Sequence, residues 1–243
     1  MTGSVNYMGK TRDPHESHRA VAGGLGRAAV FGISDGLVSN VSLVLGFAGG
    51  GVSASVVRLA GLAGLVAGAT SMAAGEWISV SAQNELIERE VALERNEIIN
   101  NAEKETMELA HFYEEHGMSK DQAEISARQV MRDPERAILV HTREEMGVDP
   151  DDLSSPLAVA AISFVCFALG AFIPVIPWFF GSGTAASITS LVLGALSALV
   201  VGGLVGVSAE RSVSKSALRQ VVILLIACGI TFLIGTLFDV SVS

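Results

Sequence analysis

Between Gln83 and Asp152 the chain carries 19 Asp/Glu against 8 Lys/Arg, a balance of −11 in a chain whose total is −9. Four of these glutamates stand out by spacing. Glu94 with Glu97, and Glu105 with Glu108, are i, i+3 pairs, so each sets two carboxylates side by side on a helix surface. Paired carboxylates are oxygen ligands for a divalent cation. The pairs repeat after 11 residues, close to three full turns, and so fall on one stripe. On one straight helix they stand about 16 Å apart at 1.5 Å per residue, too far to share an ion. A single site therefore needs a bend, and Asn100-Asn101 followed by Glu103 offers one, with Asn100 as N-cap and Glu103 at the capping-box position. Further along, His141 and Glu145 are i, i+4 and present two more ligands on one face. The plainer alternative is a solvated acidic surface with ordinary Glu–Arg ion pairs, and Glu85, Glu88, Glu90, Glu114, Glu115 and Glu124 read that way. Glu108 to His111 makes one Glu-x-x-His, a motif that di-iron bundles use twice. His15, His18 and His116 have no partner pattern and read as exposed.

A second set of reactive residues lies inside apolar runs. Asp35 sits in the cluster Ser34-Asp35-Gly36, with Ser39 and Asn40 a turn later, and shares a helix face with Ser39 and Ser42. An ionisable group at membrane depth costs at least about 2.5–3.5 kcal/mol on insertion scales and is a functional suspect. Glu76 and Met72, one turn apart, share another face. A carboxylate beside a thioether suits a transition metal such as Fe²⁺ better than Mg²⁺. Capping or an interfacial position is the plainer reading of Asp35, as headgroup contact is of Glu76, and core filling is that of Met72. Glu210 and Asp239 read as interfacial span ends. Cys166 and Cys228 lie deep in apolar runs without CxxC spacing and read as small buried hydrophobes.

The elements that position these groups follow from hydropathy. Half of the 243 residues are hydrophobic, 17% are charged, and 26 are glycine. Runs of about 20 apolar residues are long enough to cross a bilayer, and five are present: Ala28–Gly50, Ser55–Val80, Pro156–Phe180, Ala185–Ala209 and Ala217–Phe238. Gly46/Gly50, Gly64/Gly68 and Gly202/Gly206 are small-xxx-small pairs that permit close helix packing. Pro174 and Pro177 predict a kink or early end of the third span. If the N-terminus is cytoplasmic, 15 of the 16 Lys/Arg fall on that side, Arg58 being the exception. The positive-inside bias therefore places the acidic stretch in the cytoplasm and the C-terminus outside. Within that stretch, Gly117, Ser119 and Asp133-Pro134 bound helices at Lys120–Met131 and Pro134–Met146. The expected class is all-α, a polytopic membrane protein of five transmembrane helices with a cytoplasmic three-helix acidic metal-binding domain between helices two and three. Residues 1–27 form a cytoplasmic tail without a signal-peptide pattern, 28–82 hold spans one and two, 83–152 the acidic domain, and 153–243 spans three to five. The acidic balance excludes nucleic acid as a partner, and the lipid bilayer is the expected surroundings. The absence of a targeting pattern points to a bacterial-type plasma membrane.

The motifs GISDGLVSNVSLVLGFAGG and SMAAGEWISVSAQNE, the spaced glutamate run and the Ser-Pro before span three together resemble the vacuolar iron transporter family, over the chain from about Ala20 to its end. The resemblance implies a homodimer of five-span subunits with a path near the dimer interface and a cytoplasmic metal-binding domain. It implies export of Fe²⁺, and often Mn²⁺, from the cytosol by proton antiport, with no prosthetic group. On it, Asp35 and Met72 match the family's pathway residues. Glu94, Glu97, Glu105, Glu108 and Glu145 match its domain glutamates. This chain departs from the eukaryotic pattern at Gly64, where a glutamate is usual, and at His141-Thr142, where a Met-Met pair is usual. Glu76 is the candidate to supply the missing carboxylate and His141 the missing soft ligand.

Three functions are consistent with these residues. The first is a secondary transporter exporting Fe²⁺ or Mn²⁺, with Asp35, Met72 and Glu76 on the path. The second is a membrane-tethered ferroxidase using Glu105, Glu108 and His111. The third is a non-transporting metal sensor or store.

Overall fold

A computed structural model describes residues 24–150 and 153–238, with the backbone alone for Met146. Most of the expected N-terminal tail, with His15 and His18, lies outside the described residues, as does Asp239. The described residues contain helices and turns and no strand. The helices are α1 (Gly24–Gly49), α2 (Ala54–Asn100), α3 (Ala102–Glu115), α4 (Lys120–Val130), α5 (Pro134–Met146), α6 (Pro156–Phe172), α7 (Pro177–Phe180), α8 (Gly183–Ser208) and α9 (Val213–Leu237). Five stretches are long and apolar enough to cross a membrane, namely α1, α2, Pro156–Phe180, α8 and α9.

The chain divides into two compact units. One holds the described residues up to Trp77 and from Leu157 onward; the other is Ile78–Pro156. The apolar unit is built around α1, which buries Leu37, Val41 and Leu45 against Ala198 of α8 and Leu224 and Cys228 of α9. The i, i+4, i+8 spacing of those three residues gives α1 one continuous inner stripe. The closest approach on its other side needs glycine. A Cβ on Gly36 would lie 2.1 Å from the Phe167 carbonyl oxygen of α6, and one on Gly170 2.3 Å from that of Ile33.

The third span ends where its prolines demand. α6 stops at Phe172, a single 3-10 turn covers Ile173–Val175, and Pro177 opens the short α7 as its first residue. The Trp178 indole donates to Ser190 Oγ at 3.0 Å, and Ser190 Oγ donates to the Pro174 carbonyl at 2.8 Å. Arg58, the lone basic residue on the far side of the charge count, donates to the Trp178 carbonyl at 2.8 Å. Large apolar side chains cover the outer faces, as expected of a surface that meets lipid rather than water.

The acidic unit has its own small core. Leu109 and Ala110 of α3 pack on Ala123 and Ala127 of α4, and Ile98 of α2 packs on Ala137 and Ile138 of α5. α5 carries the local signals of its sequence. Asp133 caps it, accepting from the Glu135 and Arg136 amides, Pro134 is the first helical residue, and Gly147 closes it at φ 65°. The bend after α2 differs in detail from expectation. Asn101 is the N-cap of α3 and makes no side-chain cap bond, while Asn100 donates its amide to the Asn96 carbonyl one turn back. The break thus rests on packing of α3 against its neighbours and not on a capping box. Ser119 stands at the N-cap of α4 but donates to the Gln122 side chain instead of serving the backbone.

Candidate metal centre

Three helices of the acidic unit each turn an ionisable residue inward. On α2, Glu94 shares a stripe with Ile98 of the apolar core and with Val91, which packs against that core. On α3, Glu105 precedes core Leu109 by one turn, and on α5 His141 follows core Ile138 by three residues. Apolar neighbours on the same stripe carry these polar groups into the interior. Glu94 is 6% exposed, Glu105 1%, and His141 is fully buried. With Glu145, one turn after His141, they offer four ligand atoms that all lie within 4.8 Å of one another.

These atoms do not satisfy each other. His141 Nδ1 lies 3.1 Å from Glu94 Oε1, 3.6 Å from Glu145 Oε1 and 4.0 Å from Glu105 Oε2. Yet Glu94 Oε1, Glu105 Oε2 and both ring nitrogens of His141 lack a hydrogen-bond partner. A buried polar atom without a partner costs about 1–3 kcal/mol, so four in one place call for a common partner. A first-row divalent ion about 2.0–2.2 Å from each ligand atom holds opposite ligands about 4.4 Å apart. Four ligand atoms within 4.8 Å of one another are close enough to share one such ion. Three carboxylates and one imidazole suit Fe²⁺, Mn²⁺, Co²⁺ or Zn²⁺ better than the all-oxygen preference of Mg²⁺ or Ca²⁺.

Crowding of negative charge shows in proton affinity. Burial, and then the charges of Glu145, Glu105, Glu97 and Glu108, push Glu94 up from the usual 4.5 to about 7. Glu145 is also raised, by burial first and then by Glu108, with the His141 ring opposing. Lys104 partly offsets this charge from the rim, reaching Glu105 Oε1 at 3.2 Å and Glu108 Oε2 at 3.5 Å.

The other expected ligands stand outside this group. Glu97 is exposed and Glu108 half-buried, and both act on Glu94 through charge. His111 is exposed and pairs with Glu115 at 3.4 Å, so the single Glu-x-x-His does not converge with Glu105. His116 is exposed, as expected, and lies 3.6 Å from Glu144.

In the apolar unit, Asp35, Ser39 and Asn40 of α1 face Gly64, Gly68, Ser71 and Met72 of α2 across a cleft of about 430 Å³ floored by Phe167. Met72 also packs against the buried cluster of Ala69, Phe167 and Ala171. Ser39 Oγ donates to the Asp35 carbonyl at 2.6 Å, which leaves the carboxylate itself uncommitted by that bond. Glu76 lies one turn beyond Met72 and outside the cleft lining; its carboxylate pairs with Arg27 of α1 at 3.2 Å.

Residues 26–236 match the VIT family. The chain belongs to the VIT family. Its VIT relatives include "Vacuolar iron transporter" of Acanthamoeba castellanii, 33% identical over 234 residues that cover 93% of this chain and 84% of the relative. "Vacuolar iron transporter 1" of Eucalyptus grandis is 28% identical, over 90% of this chain and 89% of its own. The protein of the same name from Arabidopsis thaliana is 29% identical, over 68% and 66%. This VIT chain is thus an integral membrane protein with five candidate spans among the described residues.

Sequence reasoning passed over Lys104, the rim cation of the VIT acidic unit, and gave Asn40 no role of its own. Lys104 was legible as one residue before Glu105 and four before Glu108. Asn40 carried only the signal of an amide in an apolar span.

Proposed function

We propose that this chain is a secondary transporter that exports Fe²⁺ or Mn²⁺ from the cytoplasm. The observation that carries the reading is the convergence of buried Glu94, Glu105 and His141 with exposed Glu145, among whose atoms Glu94 Oε1, Glu105 Oε2 and both His141 ring nitrogens lack a hydrogen-bond partner, within a chain whose relatives are named vacuolar iron transporters. The acidic unit is the cytoplasmic receiver, built of the last part of α2 with α3, α4 and α5, and its cluster binds the ion in exchange for protons. Glu97 and Glu108 attract the ion to the rim and stand in reserve as ligands. The ion then passes to Asp35 and Met72, where carboxylate and thioether hold it within the membrane. Protonation of Asp35 from the opposite side releases it, which couples export to proton entry. Glu76, neutralised by Arg27, borders this path without binding the ion directly.

Asp35 and Ser39 are exposed on the single chain. A carboxylate turned toward lipid is costly, and a second copy facing it encloses the path, which supports a homodimer. The distribution of Lys/Arg supports the cytoplasmic placement of the acidic unit.

Flux into proteoliposomes tests the reading, with Fe²⁺ and Mn²⁺ as substrates and with or without a pH gradient. Wild type is expected to carry both ions faster with the gradient, Asp35→Ala neither, and Glu94→Gln only at raised ion concentration. Equal flux by wild type and Asp35→Ala removes the path assignment.

A further inference from the structure

The two oxygens of Glu105 meet different surroundings. Oε2 is buried, has no hydrogen-bond partner and lies 4.0 Å from His141 Nδ1. Oε1 accepts from Lys104 Nζ at 3.2 Å. The same ammonium lies 3.5 Å from Oε2 of Glu108, one turn further along α3. The hydrogen bond to Glu105, then the charges of Glu105 and Glu108, and last that of Glu97 on α2, raise the proton affinity of Lys104. A cation of the chain itself thus stands against Glu105 and Glu108, two of the carboxylates whose spacing marks them as ion ligands.

Little but charge holds it there. The Lys104 side chain is 64% exposed, against 1% for that of Glu105, so no packing is lost when it leaves. A lysine ammonium is a compact, well-hydrated charge on a flexible four-carbon stem and swings into water readily. Glu105 is buried and stays. An ion bound at Glu105 Oε2 and the ammonium at Oε1 would stand within about 8 Å of each other, close enough to repel strongly at low salt.

We propose that Lys104 is a tethered competitor for the metal centre: its ammonium neutralises Glu105 and Glu108 when no ion is bound, gives way as a divalent cation enters, and so sets how tightly that cation is held. This rests on the reading of the acidic unit as an ion receiver. A receiver that passes its cargo on must not hold it too tightly. The ammonium weakens the hold by repulsion, and it returns to the two carboxylates as the ion leaves, which lowers the cost of uncovering them.

The test is Mn²⁺ binding to the full chain in detergent, with Kd from calorimetric titration and the dissociation rate from a chelator chase, at low and high salt. Wild type is compared with Lys104→Gln, Lys104→Arg and Glu105→Gln. Lys104→Gln is expected to bind Mn²⁺ at least about threefold more tightly than wild type at low salt, with slower dissociation. The gain should shrink at high salt, where charge is screened. Lys104→Arg keeps the charge and grips a carboxylate with two parallel bonds, so its Kd should equal or exceed that of wild type. A structural role, in which the hydrogen bond merely positions Glu105, predicts the reverse: Lys104→Gln then binds no more tightly, or more weakly. That result, or equal tightening in Lys104→Arg, overturns the proposal. Glu105→Gln keeps the two readings apart. If it weakens binding by at least about tenfold while Lys104→Gln has the wild-type Kd, only the role of Lys104 falls. If Glu105→Gln binds as wild type does, the cluster is not the receiver and both readings fall.

Discussion

Glu94 illustrates how a single residue is pulled between stability and binding. Burial, and then the charges of Glu145, Glu105, Glu97 and Glu108, raises its proton affinity to about 7, so the folded chain holds its proton far more readily than an exposed glutamate does. Glutamine keeps the shape and removes the charge. Glu94→Gln is expected to melt at a higher temperature than wild type at pH 8 without metal, and at the same temperature at pH 4.5, where the glutamate is neutral anyway. The same change removes a ligand oxygen from the cluster and should weaken Mn²⁺ binding by at least about tenfold in a titration. A variant that binds Mn²⁺ as wild type does would remove Glu94 from the site.

Helices, more than loops, hold both candidate sites, and each helix depends on a local device. α5 delivers His141 and Glu145 together, and its start is held by Asp133, which accepts from the Glu135 and Arg136 amides at 3.2 and 3.3 Å. Asp133→Ala should cost about 1 kcal/mol of stability in the acidic unit and loosen Mn²⁺ binding in step, since two of four ligands ride on that helix. Hydrogen exchange along Pro134–Met146 and the binding titration report the two effects separately. α1 depends on contact with α6 at Gly36, where an added methyl would meet the Phe167 carbonyl. Neither backbone can yield cheaply inside a packed bundle. Gly36→Ala is therefore expected to lose folded protein on size-exclusion chromatography in detergent, a loss that Gly75→Ala, which meets nothing within 4 Å, should not share.

At the scale of the whole molecule, pH and metal act on stability in opposite senses. Glu94 binds its proton more tightly folded, near 7, than unfolded, at the usual 4.5. Between those values the folded state carries more protons, so stability falls as pH rises across that window. Its contribution is fully present below about 4.5 and gone above about 7. A divalent ion requires the same carboxylates deprotonated, so its affinity climbs over that range and its stabilisation grows with it. Thermal unfolding is expected to move down in temperature from pH 5 to pH 8 without metal. The upward shift on adding Mn²⁺ should be larger at pH 8 than at pH 5. A metal-induced shift independent of pH would mean that the ion does not displace this proton.

Residue order alone determined the five apolar spans, because a helix that meets lipid must be apolar for about 20 residues whatever its neighbours are. It likewise determined α5, whose cap, proline and closing glycine act within a few residues. It also singled out Glu94, Glu97, Glu105 and Glu108 as two equivalent pairs. Only tertiary packing distinguished within the pairs, turning Glu94 and Glu105 inward with Val91, Ile98 and Leu109 and leaving Glu97 exposed and Glu108 at the rim. Only packing joined Arg27 to Glu76, 49 residues away, and left Asn40 with a buried oxygen that has no hydrogen-bond partner. The physical reason is range. Hydropathy and capping are properties of neighbours along the chain, whereas burial of charge and the absence of a partner depend on which distant surfaces meet.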